Sequence, residues 1–213
     1  MKFAMSYSCG KDSTLALHKM ISSGNECVAL IIVINKDQGR SFFHGISTDL
    51  LRKYEDSLAI PVIECPSNGE DYHLAIEKGF RHSREMGAEA IVFGDIDIQG
   101  NRDWSEERCR NAGIDPVFPL WHADRKKNVE EVISSGYTCI IKTINNTLLP
   151  EELLGKAIDK DTVAVMEERG IDICGENGEY HTFTADGPVF KKPLEYEAGE
   201  ILRFGDFSVI DVN

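Results

Sequence analysis

Short, unbroken apolar runs alternate with longer segments of mixed character along the first two-thirds of the chain. The apolar runs are Lys2–Tyr7, Cys27–Ile34, Pro61–Cys65 and Ala90–Phe93. Continuous apolarity over so few residues is what a strand covered on both faces needs. The segments between them have helical length: Ser13–Ser22, Ile46–Leu58, Asp71–Met86 and Arg102–Asn111. Gly24, Gly87 and Gly113 stand just past three of these, where a helix end takes a left-handed residue. Strict alternation of this kind predicts an α/β fold, a parallel sheet wrapped by helices through right-handed crossovers. After Trp121 the regularity loosens. Arg125–Ser135 reads as helix, Thr138–Ile144 as strand and Asp159–Arg169 as helix, and from Gly170 onward Gly, Asp and short β-type runs dominate. A boundary near Trp121-His122 would divide a first domain, 1–121, from a smaller α+β domain, 122–213.

Composition narrows the classes of function. The 213 residues carry a formal net charge of −13, with 42% hydrophobic and 28% charged residues. Those are globular proportions. A surface so acidic repels phosphate backbones and anionic lipid, which disfavours a general nucleic-acid or membrane binder. The opening residues form no signal-peptide core, and Val28–Ile34 is far too short to span a bilayer. Six cysteines (Cys9, Cys27, Cys65, Cys109, Cys139, Cys174) lie far apart with no C-x-x-C pair, a pattern of neither a disulfide scaffold nor a zinc ribbon. The expectation is a cytoplasmic protein with reduced thiols.

The most informative segment is Ser8-Cys9-Gly10-Lys11-Asp12-Ser13, between the first strand and the first helix. A helix N-terminus at the carboxyl end of a strand offers unpaired N–H groups and the positive end of the helix dipole. Gly10 lets a phosphate approach the backbone, Ser8 and Ser13 add hydroxyls, and Lys11 adds a cation. Asp12 would cap the helix or help to hold Mg²⁺. Met5 and Asp12 exclude a Walker loop, and there is no G-x-G-x-x-G. Cys9 as a nucleophile is a competing reading, since a helix N-terminus beside a lysine lowers a thiol's pKa.

Ser8–Ser13 resembles the S-G-G-K-D-S pyrophosphate loop of the N-type ATP pyrophosphatases (PP-loop superfamily), with Cys9 for the first glycine. That replacement implies a second loop position without a positive φ. Four further stretches narrow the likeness: Phe43-His44-Gly45, Phe93-Gly94-Asp95-Ile96, Phe118-Pro119-Leu120-Trp121, and Cys174–Phe183 followed by Asp186-Gly187-Pro188-Val189-Phe190. Together they resemble the diphthine–ammonia ligase family, over nearly the whole chain. The resemblance implies a Rossmann-like, adenine nucleotide alpha hydrolase-like fold. It also implies ATP and Mg²⁺ as cofactors, and an amidation in which a carboxylate on elongation factor 2 is adenylated, pyrophosphate leaves and ammonium supplies the nitrogen. About 120 residues taken by the nucleotide domain leave too little chain for a glutaminase, so free ammonium is the expected source. On this reading Ser8–Ser13, Gly94 and Asp95 bind ATP, and Lys11, Asp12, Glu176 and Glu179 carry the chemistry. His44, Gly45, Asp97, Arg102, Glu176, Asn177, Glu179, His181 and Thr182 line the substrate side. A homodimer is left open.

Asn177 stands where the eukaryotic signature has glycine, and His181 where it has glutamate, so the spelling resembles that of prokaryotic members. Asn177-Gly178 is also a strong two-residue hairpin signal, with Glu179–Thr184 alternating as its second strand. His44 has an alternative as a partly buried loop histidine, and Trp121 reads as packing. Asp95–Gly100 with Glu106 nearly spells an EF-hand loop, but a strand precedes it where a helix is required. Two rivals share the loop: a tRNA-modifying pyrophosphatase, which the net charge disfavours, and a nucleotide sensor without catalysis.

Overall fold

The computed structural model describes all 213 residues. Strand β1 (Lys2–Ser6) feeds helix α1 (Lys11–Ser22), and β2 (Glu26–Asn35) returns parallel to β1. A two-residue strand, β3 (Arg40–Ser41), pairs antiparallel with the end of β2. Helix α2 (Thr48–Leu58) then leads to β4 (Val62–Ser67), parallel to β2 on its other edge. The chain crosses back through α3 (Tyr72–Glu85) to β5 (Ala90–Val92), which pairs with the free edge of β1. Helix α4 (Gln99–Ala112) and β6 (Asp115–Val117) complete the sheet. The parallel order is β4-β2-β1-β5-β6, so the chain reverses direction between β1 and β5. Ligands of open α/β sheets bind at that switch point, outside the carboxyl ends of the strands.

Helix α5 (Arg125–Ser134) leads into a second, antiparallel sheet of order β8-β7-β10-β9. Its strands are β7 (Thr138–Asn145), β8 (Tyr180–Asp186), β9 (Ala198–Phe204) and β10 (Phe207–Val212), with α6 (Lys160–Glu168) between the first two. No helix is long and apolar enough to cross a membrane.

Local chemistry sets the element ends. Ser47 caps α2 by accepting the Leu50 N–H, so the helix starts two residues after the apolar pattern does. Asp159 and Thr162 form a capping box on α6. Gly24, Gly87 and Gly113 all adopt positive φ, as expected past a helix end. Helix α4 begins earlier than the pattern predicts, at Gln99. Gln99 and Gly100 are therefore helical, and no calcium loop forms there.

The predicted hairpin at Asn177-Gly178 is absent. Residues 175–178 form a turn, closed by the Gly178 N–H on the Gly175 carbonyl, and β8 pairs instead with β7, some forty residues earlier. A two-residue hairpin does form at Gly205-Asp206, between β9 and β10.

Two apolar clusters flank the parallel sheet. Ile31, Ile76, Phe80, Ile91 and Phe93 pack on one face, under α3 and α4. On the other face Phe3, Leu15, Leu50 and Tyr54 share a single cluster with Ile141, Phe183 and Ile210 of the second sheet.

Candidate active site

The carboxyl ends of β1 and β5 and the start of α1 open into a cleft of about 670 Å³. Ser8, Lys11, Asp12, Ser13, Gly94 and Asp95 line it, joined by His44, Glu176, His181 and Thr182 from the sequence-based candidates. Gly10 is the N-cap of α1 in an extended conformation. A Cβ there would meet the His44 ring at 2.8 Å, and one on Gly94 would meet the Ser13 backbone N at 2.8 Å. Both glycines are thus required by close approach. The loop holds itself: the Ser8 and Ser13 hydroxyls are 3.0 Å apart, and Ser8 Oγ accepts the Gly10 N–H.

Cys9 departs from expectation. Its φ is 66°, a left-handed backbone that costs a non-glycine residue about 1 kcal/mol. The side chain is fully buried and outside the cleft, and burial pushes the thiol well up. The competing reading of Cys9 as a nucleophile fails, because desolvation outweighs the helix terminus.

The second sheet clasps this loop. Thr184 N donates to the Cys9 carbonyl at 2.8 Å, and the Lys11 N–H donates to Thr182 Oγ1 at 3.0 Å. Lys11 is almost fully buried, with its ammonium 2.6 Å from Asp12 Oδ2, donating to the Cys174 carbonyl and lying over the Tyr180 ring. Burial works to lower its pKa, but Asp12 and the other neighbours outweigh that and hold it well above the ordinary value. The lysine is therefore held by protein groups rather than standing free in the loop.

Three carboxyl groups converge. Burial raises Glu176 to about 7, with Asp12 adding to the effect. Burial likewise raises Asp95 to about 6, again with a contribution from Asp12. Asp12, Glu176 and the Cys174 thiol bring one ligand atom each within 4.8 Å of one another. The two carboxylates are hard oxygen donors of the kind that holds Mg²⁺ beside phosphates. The thiol, which burial keeps protonated, is a poor ligand for it.

His44 is half-buried and places Nδ1 2.9 Å from the Thr182 carbonyl. A carbonyl only accepts, so Nδ1 carries the proton and Nε2 is left as an acceptor. Burial first, and then His181 at 4.9 Å between ring centres, bring its pKa down to about 3. Burial also lowers His181. Both rings are neutral at pH 7.

Besides Cys9, five candidates lie elsewhere. Glu179 is buried beneath the 175–178 turn, where it accepts the backbone N–H and side-chain amide of Asn177. Asn177 itself is exposed and outside the cleft. Gly45, with φ 62°, backs onto Lys142. Asp97 is taken by Arg125, and Arg102 lies over Phe118 and Trp121 while pairing with Glu106. Trp121 is thus packing, as expected. The sequence reading missed Tyr72, Asn101 and Ser105 in the cleft wall, and Arg125 behind it.

A phosphate-type loop at the switch point of a parallel sheet, clasped by a second antiparallel sheet, defines a Rossmann-like α/β protein of the nucleotide-binding kind. Residues 1–116 match the model of the diphthamide synthase N-terminal domain, and residues 124–213 match that of the C-terminal domain. The chain belongs to the diphthamide synthase family. Curated relatives named diphthine–ammonia ligase include one from Danio rerio, 27% identical over 92% of this chain and 87% of its own. Another, from Homo sapiens, is 26% identical over 95% of this chain and 85% of its own. A solved structure from Methanocaldococcus jannaschii, described as a "predicted subunit of tRNA methyltransferase", covers 91% of this chain and 99% of that one. The two share a TM-score of 0.47 and 13% identity.

Proposed function

We propose that this protein is an ATP-dependent, C–N bond-forming ligase that converts a substrate carboxylate to an amide. The observation that carries the reading is the facing of the α1 loop by Glu176 across a cleft between two sheets, in a chain of this family. The substrate carboxylate attacks the α-phosphorus of ATP and pyrophosphate leaves. Ammonia then attacks the acyl adenylate, and AMP leaves.

Catalysis here is positioning and charge neutralisation. The open amides at the start of α1, with Ser8 and Ser13, cradle the phosphates, and Lys11 supplies positive charge at their base. Asp12 and Glu176 would hold Mg²⁺, which when bound would supply positive charge to neutralise the pyrophosphate. Glu176 also faces the space where ammonium must arrive, and its carboxylate orients it and takes its proton. Glu179 supports the turn that carries Glu176 and does not touch substrate. The acyl substrate is diphthine on elongation factor 2, or a related carboxylate, with free ammonium as nitrogen donor.

The test is product identity. Incubation with ATP, Mg²⁺, ammonium and a diphthine-bearing acceptor yields AMP, pyrophosphate and an acceptor about 1 Da lighter, the mass change when a hydroxyl becomes an amino group. ADP and phosphate would overturn the reading. Nucleotide binding without pyrophosphate release under any acceptor would favour a sensor.

A further inference from the structure

Arg125 sits at the first turn of α5, outside the cleft, yet it joins the segments that carry the cleft's carboxylates. Its Nε and Nη2 donate to the two oxygens of Asp97 at 2.7 and 2.6 Å, a bidentate pair. Asp97 closes the loop that begins with Gly94 and Asp95. From the same guanidinium, Nη1 donates to Asp172 Oδ2, with a longer contact to Asn177 Oδ1. Asp172 in turn accepts the backbone N–H groups of Cys174 and Glu176, at 2.9 and 3.3 Å. Cys174 passes its carbonyl to the Lys11 ammonium. One planar cation thus ties α5, the loop after β5 and the turn before β8 together, and through Asp172 it fixes where the Glu176 backbone lies.

We propose that Arg125 is a positioning residue, which sets Glu176 opposite Asp12 and thereby governs the ammonia-dependent half of the reaction. The inference rests on the ligase reading above for its kinetic consequence, though not for its structural one. The planar fork is essential to it: three acceptors lie at fixed angles around one guanidinium, a geometry that a lysine's point charge cannot reproduce. Arg125 is part-exposed and lines none of the cleft, so nucleotide affinity has no direct dependence on it.

The test compares wild type with Arg125→Met and Arg125→Lys. The expected result is a fall in kcat for amide formation of about tenfold or more, the scale at which small misplacements act. The KM for ammonium rises several-fold while the Kd for ATP, read by titration calorimetry, stays within about twofold. Arg125→Lys recovers little of the loss. Hydrogen exchange supplies a readout independent of any acceptor: peptides spanning 172–179 lose protection in both variants, and those of α1 do not. Unchanged protection at 172–179 overturns the proposal, as does an ATP affinity that falls in step with kcat. Should Arg125→Met fail to fold, Asp172→Asn, which weakens one arm only, must show the same split. If wild type amidates no acceptor while Arg125→Met still loosens 172–179, the ligase reading fails and the positioning role stands.

Discussion

The hydroxyl of Thr182 in β8 accepts the backbone N–H of Lys11 in the first turn of α1, at 3.0 Å and across 171 residues of sequence. A first-turn amide of a helix has no partner within its own helix, so here a side chain of the second sheet completes the phosphate loop. The carbonyl of the same threonine accepts His44 Nδ1–H. Thr182→Val removes the hydroxyl but keeps the shape. The buried Lys11 amide is then unpaired, a loss of about 1–3 kcal/mol. Urea denaturation checks the figure, and Thr182→Ser, which restores the acceptor, recovers most of it. Equal stability of the valine variant and wild type would show that the bond contributes nothing.

Asp12 and Glu176 face each other, and under the proposed mechanism Asp12 acts in adenylation, while Glu176, beyond its share in holding Mg²⁺, acts in the ammonia step. Asp12→Asn keeps an oxygen toward Lys11, so far-UV circular dichroism is unchanged, while pyrophosphate release falls by about a hundredfold or more. Glu176→Gln leaves ATP–pyrophosphate exchange measurable in the presence of acceptor, but slows amide formation by about a hundredfold. Loss of exchange in Glu176→Gln would move that residue to the adenylation step.

All six cysteines are free, and five are buried. Burial pushes the Cys9 and Cys174 thiols up, and Cys27, which is partly exposed, is raised to about 12. A thiol titration with Ellman's reagent in native buffer therefore shows no rapid phase, and the same titration in urea counts six. Fast, selective labelling of Cys9 would restore its candidacy as a nucleophile.

Lys142 of β7 is 1% exposed, forms no ion pair, and donates to the Ile210 carbonyl. Burial, with Arg40 adding and Asp211 opposing, brings its ammonium down to about 8. Between that value and the ordinary lysine range the unfolded chain holds a proton that the folded chain has released. Stability therefore rises with pH through the window from about 8 to about 10.5, and the full penalty stands below it. Lys142→Met is expected to stabilise the protein at pH 7 by about 2 kcal/mol, with the gain largely gone by pH 10.5. Paired denaturant titrations at the two pH values measure it. A variant less stable than wild type at pH 7 would mean that the ammonium is a net favourable group.

The parallel sheet was legible because each of its inner strands is covered on both faces and so wears an unbroken apolar run. The place of the Ser8–Ser13 loop was legible because a cluster of small and polar residues interrupts the apolar pattern between β1 and α1. Other features had no local signal. The partners of Arg125 lie 28 and 47 residues away, and nothing beside it in sequence marks it. Asn177-Gly178 has hairpin chemistry, but Glu179 anchors the turn from beneath and β8 finds β7 instead, so tertiary pairing overrode the local preference. The left-handed Cys9 was unreadable for a related reason: its carbonyl is held by the backbone N–H of Thr184, far along the chain. β6 is three residues long and contains Pro116, which breaks any strand pattern.

The apolar cluster that runs from Phe3 and Leu50 through to Phe183 and Ile210 has a bearing on how the protein can be taken apart. A recombinant fragment stopping at residue 121 would present a wide greasy face to water, and the remaining 92 residues would do the same. Neither half is a portable cassette: the nucleotide-handling part cannot be grafted onto another partner without carrying its sealing sheet along.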